Sequence, residues 1–196
     1  YALLMRSTAN NQYLGILVLL TSLTVTLVVT PFNSLDPVNL PKLCLLVFFS
    51  FTATGLLFSN FQFFKAKENR AVILNILVFL ALLALVLIFD DRDFASKFYG
   101  NFGRNTGFIA YVSLALLLLT SVAVVSRTLL QRYLIAIVAT GALLATYGFI
   151  QSNGRDFYQI ETGYGANVFG TFGNPNFQSA FMGIALATAS TLVFYS

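Results

Sequence analysis

An all-α, polytopic bundle of membrane-spanning helices is the fold class this sequence predicts, and three observations predict it. Charge is scarce: of 196 residues 58% are hydrophobic and 9% charged, with 11 Lys+Arg, 7 Asp+Glu and no His, whereas a soluble domain carries about 25% charged residues. The charges are also clustered, leaving charge-free runs at 7–35, 43–64, 71–89, 105–126, 133–154 and 162–196. Runs such as 72–89 are apolar without alternation, which suits a spanning helix of about 20 residues and not a barrel strand of about 10 with a period of two. These features exclude a soluble globular domain and a disordered chain, and the single Cys44 excludes a disulfide scaffold. Without His, these residues hold no His-based catalyst and no His metal site.

About six spanning helices follow in order. The first, 13–30, is long, lacks a small-residue cleavage site and precedes five more, so it reads as a retained helix and not a signal peptide. Pro31, Pro37 and Pro41 punctuate the first connection, and Leu40-Pro41 predicts a second helix starting just before Lys42 and running over 42–59. The tract 60–70 is a polar, basic connection to the third helix, 71–89. Residues 90–105 are acidic at first and glycine-containing later, and lead to the fourth helix, 106–125. A tight turn at 126–132 precedes the fifth, 133–150. The longest connection, 151–175, is rich in Gly, Asn and aromatics and leads to the sixth, 176–195. Residues 1–196 read as one membrane-embedded region. No internal repeat is visible, so the inverted-repeat design of many transporters gains no support.

Orientation follows from the Lys/Arg distribution. Arg6, Lys65, Lys67, Arg70, Arg127 and Arg132 fall on one face; Lys42, Arg92, Lys97, Arg104 and Arg155 fall on the other, together with every acid except Glu68. The first face is predicted to be cytoplasmic, with the N-terminus, and the second exoplasmic. Because the charges flank apolar runs, the net charge of +4 reports topology and not a nucleic-acid partner.

The span interiors contain no Asp, Glu, Lys or Arg, which argues against an ion- or proton-coupled transporter. Asn75, Thr140 and Thr146 read as helix-packing contacts, and Gly183, Ala187 and Thr191 as a small-residue packing face. Chemistry is therefore sought in the two exoplasmic loops. In the third connection, Arg104 sits at the mouth of the fourth span beside Gly103. It is either an interfacial anchor or a ligand-facing cation; the glycines at 100, 103 and 107 lack the βαβ context of a phosphate loop. In the fifth, Asn174-Pro175 before a new apolar run predicts a capped helix start, with Asn176 in its first turn. Such a helix N-terminus favours anions, Gly170 and Gly173 leave room beside it, and Arg155 supplies a guanidinium suited to diphosphate oxygens. The alternative there is a well-capped helix behind an aromatic interfacial loop. Asp156 and Glu161 are the candidate bases.

YGFIQSNGRDF (147–157) and VFGTFGNPNFQSAF (168–181) resemble the O-antigen ligase/polymerase family, polytopic bacterial glycosyltransferases that act on polyprenyl-linked glycans. FGRNTGFIAYVSL (102–114) and PFNSLDPVNLPKLCLL (31–46) are similar to further family segments, so the likeness runs over about 31–185. It implies transfer of a polyprenyl-diphosphate-linked glycan to a glycan, lipid or protein acceptor at the exoplasmic face of the bacterial inner membrane, with no metal and no cofactor. In that scheme exoplasmic arginines neutralise the diphosphate, Arg104 being the best-matched of them, and the catalytic residue is not assigned. Where relatives carry an Arg shortly before the GTFGNPN block, this chain has Asn167, which shifts the phosphate role toward Arg155. The family's catalytic His lies in a later loop followed by further spans, so the resemblance implies that this chain is the N-terminal half of a longer enzyme. A non-catalytic polytopic membrane protein or a transporter half is the alternative.

Overall fold

The computed structural model describes residues 2–30, 36–59, 61–156 and 168–194. It is 79% helical, and no strand occurs among the described residues. In chain order the helices are α1 (Ala2–Leu27), α2 (Asn39–Leu57), α3 (Phe61–Lys65), α4 (Arg70–Phe89), α5 (Phe94–Tyr99), α6 (Phe108–Val124), α7 (Arg127–Ser152) and α8 (Pro175–Phe194), with a 3-10 turn at Lys67–Asn69. Each of the six apolar segments read from the sequence is a helix. Four of the stretches, Asn39–Leu57, Lys67–Phe89, Arg127–Ser152 and Pro175–Phe194, are long and apolar enough to cross a membrane, two fewer than the six expected. Phe108–Val124 is a shorter apolar helix, and Asn11–Leu27 is the apolar part of the 26-residue α1. At 1.5 Å per residue the 17 residues of α6 span about 26 Å, against a hydrocarbon core of about 30 Å.

Helix ends differ from expectation where polar caps extend them. Asp36 Oδ1 accepts hydrogen bonds from the backbone N–H groups of Val38 (3.3 Å) and Asn39 (2.8 Å). α2 therefore begins at Asn39 and takes Pro41 into its first turn, where proline's missing donor is harmless. Ser126 caps α7 by accepting from Leu129 N, so the expected tight turn at 126–132 is mostly helix. In the third connection Asp93 caps the short α5 through Ser96 N at 2.8 Å.

The chain forms two compact units, Tyr1–Ser22 with Leu43–Val125, and Leu23–Lys42 with Ser126–Ser196. In the first, α4 and α5 pack on α6, and Phe98 of α5 lies 5.8 Å from Phe108 at the start of α6, centroid to centroid. In the second, α7 packs on α8. Gly141 is the point of closest approach: a Cβ there would meet the Ala185 Cβ at 2.5 Å. The expected small-residue face of α8 does not make this contact; Gly183, Ala187 and Thr191 are all exposed. Of the three polar spots read as packing contacts, Thr140 is buried, while Asn75 is exposed and the exposed Thr146 returns its hydroxyl to Ala142 O.

Apolar and polar groups are distributed as lipid demands. Phe89, Ile88 and Phe149 are exposed, whereas Thr21, Ser50, Thr54, Ser113 and Thr120 are buried. Buried hydroxyls of Thr21, Thr54 and Thr120 donate to the carbonyl four residues back, at 2.7–2.8 Å, which satisfies them without a partner helix.

Candidate functional site

Gly103 and Arg104 belong to the first unit; Arg155, Gly170, Gly173, Asn174 and Asn176 belong to the second. Glu161 and Asn167 lie outside the described residues.

In the first unit, residues 100–107 form a closed loop. Gly100 has φ +90°, and a Cβ on it would meet Thr106 N at 2.5 Å and Gly107 N at 2.6 Å, so two backbone strands touch where only glycine fits. Between them Arg104 N and Asn105 N both donate to Asn101 O (3.0 and 3.1 Å), and Gly103 (φ +79°) and Asn105 (φ +51°) adopt left-handed conformations. Arg104 stands exposed on this tip. The preceding turn is fixed by charge. Arg92 donates from Nε and Nη2 to the Asp90 carboxylate, the shortest contact being 2.6 Å. Those bonds hold the Asp90 pKa down to about 2. Ser96 N–H likewise holds Asp93 below its ordinary value.

In the second unit the GTFGNPN segment is a pinned turn. Gln151, buried at the end of α7, accepts through Oε1 from Phe169 N (3.3 Å) and Gly170 N (2.9 Å). Its Nε2 donates to Asp156 Oδ2 (3.0 Å), while Tyr147 OH donates to Asp156 Oδ1 (2.6 Å). Both oxygens of this candidate base therefore serve as a latch from α7 to the loop that follows it. Thr171 Oγ1 donates to Thr26 O at 2.7 Å. Lys42 Nζ donates to Val25 O and Thr26 O, each at 2.8 Å, and lies 5.3 Å from the centroid of the Phe172 ring. The end of α1 thus receives its cation from α2, the favourable sign at a helix C-terminus.

Gly170 (φ +55°) allows the turn to press on Gln178: any Cβ would collide with the Gln178 amide oxygen. Gly173 (φ +66°) faces Val38, whose Cγ2 lies 3.3 Å from an ideal Cβ position. The turn delivers the chain into α8. Asn174 Oδ1 accepts from Asn176 N (2.9 Å), and Asn174 O takes the first helical bond from Gln178 N. Asn174 is the cap the sequence indicated, and it occupies one donor that an anion would otherwise use. Arg155 is exposed just past α7, its N–H bound to Ile150 O.

No family model matches the chain, and no curated protein or solved structure matches it.

The residues missing from the sequence-based site are those that hold it: Lys42, Tyr147, Gln151, Thr171 and Gln178. A signal existed for two of them, since Gln151 and Gln178 are amides at the ends of apolar runs on either side of the GTFGNPN block. Among the described residues no group of three His, Cys, Asp or Glu lies together to hold a metal. What the arrangement offers chemically is positive character: an exposed guanidinium on a closed loop in one unit, and a capped helix start with a second exposed guanidinium in the other.

Proposed function

We propose that this chain is part of a multi-pass glycosyltransferase of the bacterial inner membrane. It moves a polyprenyl-diphosphate-linked glycan onto a glycan, lipid or protein acceptor at the exoplasmic face, in the manner of O-antigen ligases and polymerases. In this reading all six apolar helices cross the bilayer and the N-terminus is cytoplasmic. The observation that carries it is the pinned GTFGNPN turn. Its backbone is tied to Gln151 and, through Thr171, to Thr26, far more fixation than a solvated surface loop needs, and it sets the start of α8. A departing diphosphate is stabilised by donors and positive charge in place where negative charge develops; Arg104 in one unit and Arg155 in the other are each an exposed guanidinium candidate for that role.

Transfer from a lipid-linked donor to acceptor is measured with the protein that carries this chain. Arg104→Ala is expected to lower the rate by about 100-fold or more, the cost of removing one such stabilising group, with helical content unchanged. Normal transfer in Arg104→Ala would remove the diphosphate role assigned to Arg104.

A further inference from the structure

The first unit holds a second feature with the makings of a site. Where α4 leaves its apolar stretch, a cavity of about 150 Å³ lies against α6, with Leu83, Val86 and Leu87 on one wall and Arg92 and Lys97 on another. Lys97 Nζ spends one of its three donors on Asp90 O at 2.7 Å. Arg92 uses Nε and Nη2 on the Asp90 carboxylate, leaving Nη1 uncommitted. Three ionisable acidic or basic side chains line the cavity, Asp90, Arg92 and Lys97. Arg92 pairs with Asp90, so the charges of the lining residues themselves sum to +1. Of the nearby acids, Asp93 caps α5 and also attracts Arg92 from outside the lining, and Asp91 is exposed outside the lining.

A cavity with a basic rim and a leucine/valine wall selects an amphiphile. Its volume is below the roughly 300–1,000 Å³ of pockets that enclose a whole small ligand, so it suits a headgroup whose tails remain outside. The surface available to those tails is α4 itself, of which only 6% of the apolar window is buried. We infer that this cavity receives the phosphate of an anionic phospholipid of the surrounding bilayer, with the acyl chains lying along α4. Phosphate bound by Lys97 and the free edge of Arg92 gains charge-assisted hydrogen bonds, and the site serves whether or not the chain takes part in glycan transfer.

The test uses the full chain in detergent, equilibrated with equal amounts of phosphatidylglycerol and phosphatidylcholine, with retained lipid counted by native mass spectrometry. Phosphatidylglycerol is expected to be retained about tenfold over phosphatidylcholine, which offers the same phosphate but brings a choline cation against Lys97 and Arg92. Lys97→Gln, which keeps a donor for Asp90 O, is expected to abolish the preference. Leu87→Trp fills the apolar side and leaves every charge in place, and is expected to lower retention of both lipids with helical content preserved. Equal retention by the parent and both variants would overturn the inference. Displacement of the lipid by millimolar inorganic phosphate would also overturn it, by making the cavity a soluble-anion site. Preferential retention of farnesyl diphosphate over phosphatidylglycerol would overturn it as well, and would assign the cavity to an isoprenoid ligand.

Discussion

Two buried glutamines bracket the GTFGNPN turn, and they do different work. Gln151 uses both ends of its amide, while Gln178 donates to Leu144 O at 3.3 Å and its buried Oε1 has no partner among the described residues. Removing a group that satisfies several buried partners strands them, whereas replacing a half-satisfied amide by an apolar isostere loses little. Gln151→Leu, which orphans Phe169 N and Gly170 N, is therefore expected to destabilise by roughly 1–3 kcal/mol, and Gln178→Met by less than about 1 kcal/mol. Unfolding in mixed micelles measures both, and equal losses would contradict the distinction. At the water-facing end of α4, the Asp90 pKa is lowered to about 2 chiefly by the Arg92 hydrogen bonds. A carboxylate depressed in the folded state contributes stability that is fully present above its unfolded value of about 3.9 and disappears as pH falls through the folded one. The Asp90–Arg92 pair is thus intact at neutral pH and opens between about pH 4 and pH 2. Carbon-13 NMR of the Asp90 carboxyl should show this low midpoint, and Arg92→Gln should return it toward the ordinary carboxylate range.

At the scale of elements, the close approach of α7 and α8 depends on a glycine that sequence spacing does not reveal. Gly183, Ala187 and Thr191 repeat every four residues, yet they lie exposed, while an isolated Gly141 faces Ala185 with no room for a Cβ. A repeat identifies a face that could pack, and the pairing of two helices decides which face does. Gly141→Val is expected to push the helices apart and cost about 2 kcal/mol or more, as overpacking commonly does; Gly183→Val, with nothing within 4 Å of its Cβ position, is expected to stay within about 0.5 kcal/mol. Thermal unfolding of both variants checks this. Helix existence was legible because hydrophobicity alone sets it in an apolar solvent. Helix ends were less so. Asp36, Asp93 and Ser126 all cap helices, but a lone Asp or Ser in a polar connection looks the same whether it caps or simply meets water. For the candidate site the balance is similar: Asn174 was readable because Asn-Pro before an apolar run has a local geometric meaning. Lys42 was not, because its partners Val25 and Thr26 precede it by a full connection.

For the whole molecule, the open quantity is how many helices cross the bilayer, and it turns on the shorter ones. A 17-residue α6 falls several ångströms short of an average hydrocarbon core, a mismatch that local thinning of the bilayer absorbs at fractions of a kcal/mol per Å. Its termini support crossing: it begins after a connection bearing Arg92, Lys97 and Arg104 and ends next to Arg127, so basic groups anchor both ends at interfaces. Two of its polar groups are also compatible with lipid, since Thr120 and Ser121 return their hydroxyls to Leu116 O and Leu117 O. Single cysteines at Lys67, Lys97 and Val125, on a background without Cys44, separate the alternatives. Position 67 lies before α4, 97 between α4 and α6, and 125 just after α6. With both helices crossing and the N-terminus inside, an impermeant thiol reagent added from the exoplasmic side should label 97 and spare 67 and 125. Labelling of both 97 and 125 would mean that α6 lies in the interface and does not span. Labelling of 67 with protection of 97 would invert the molecule, moving Arg104 to the cytoplasmic face and removing the exoplasmic reaction proposed for it.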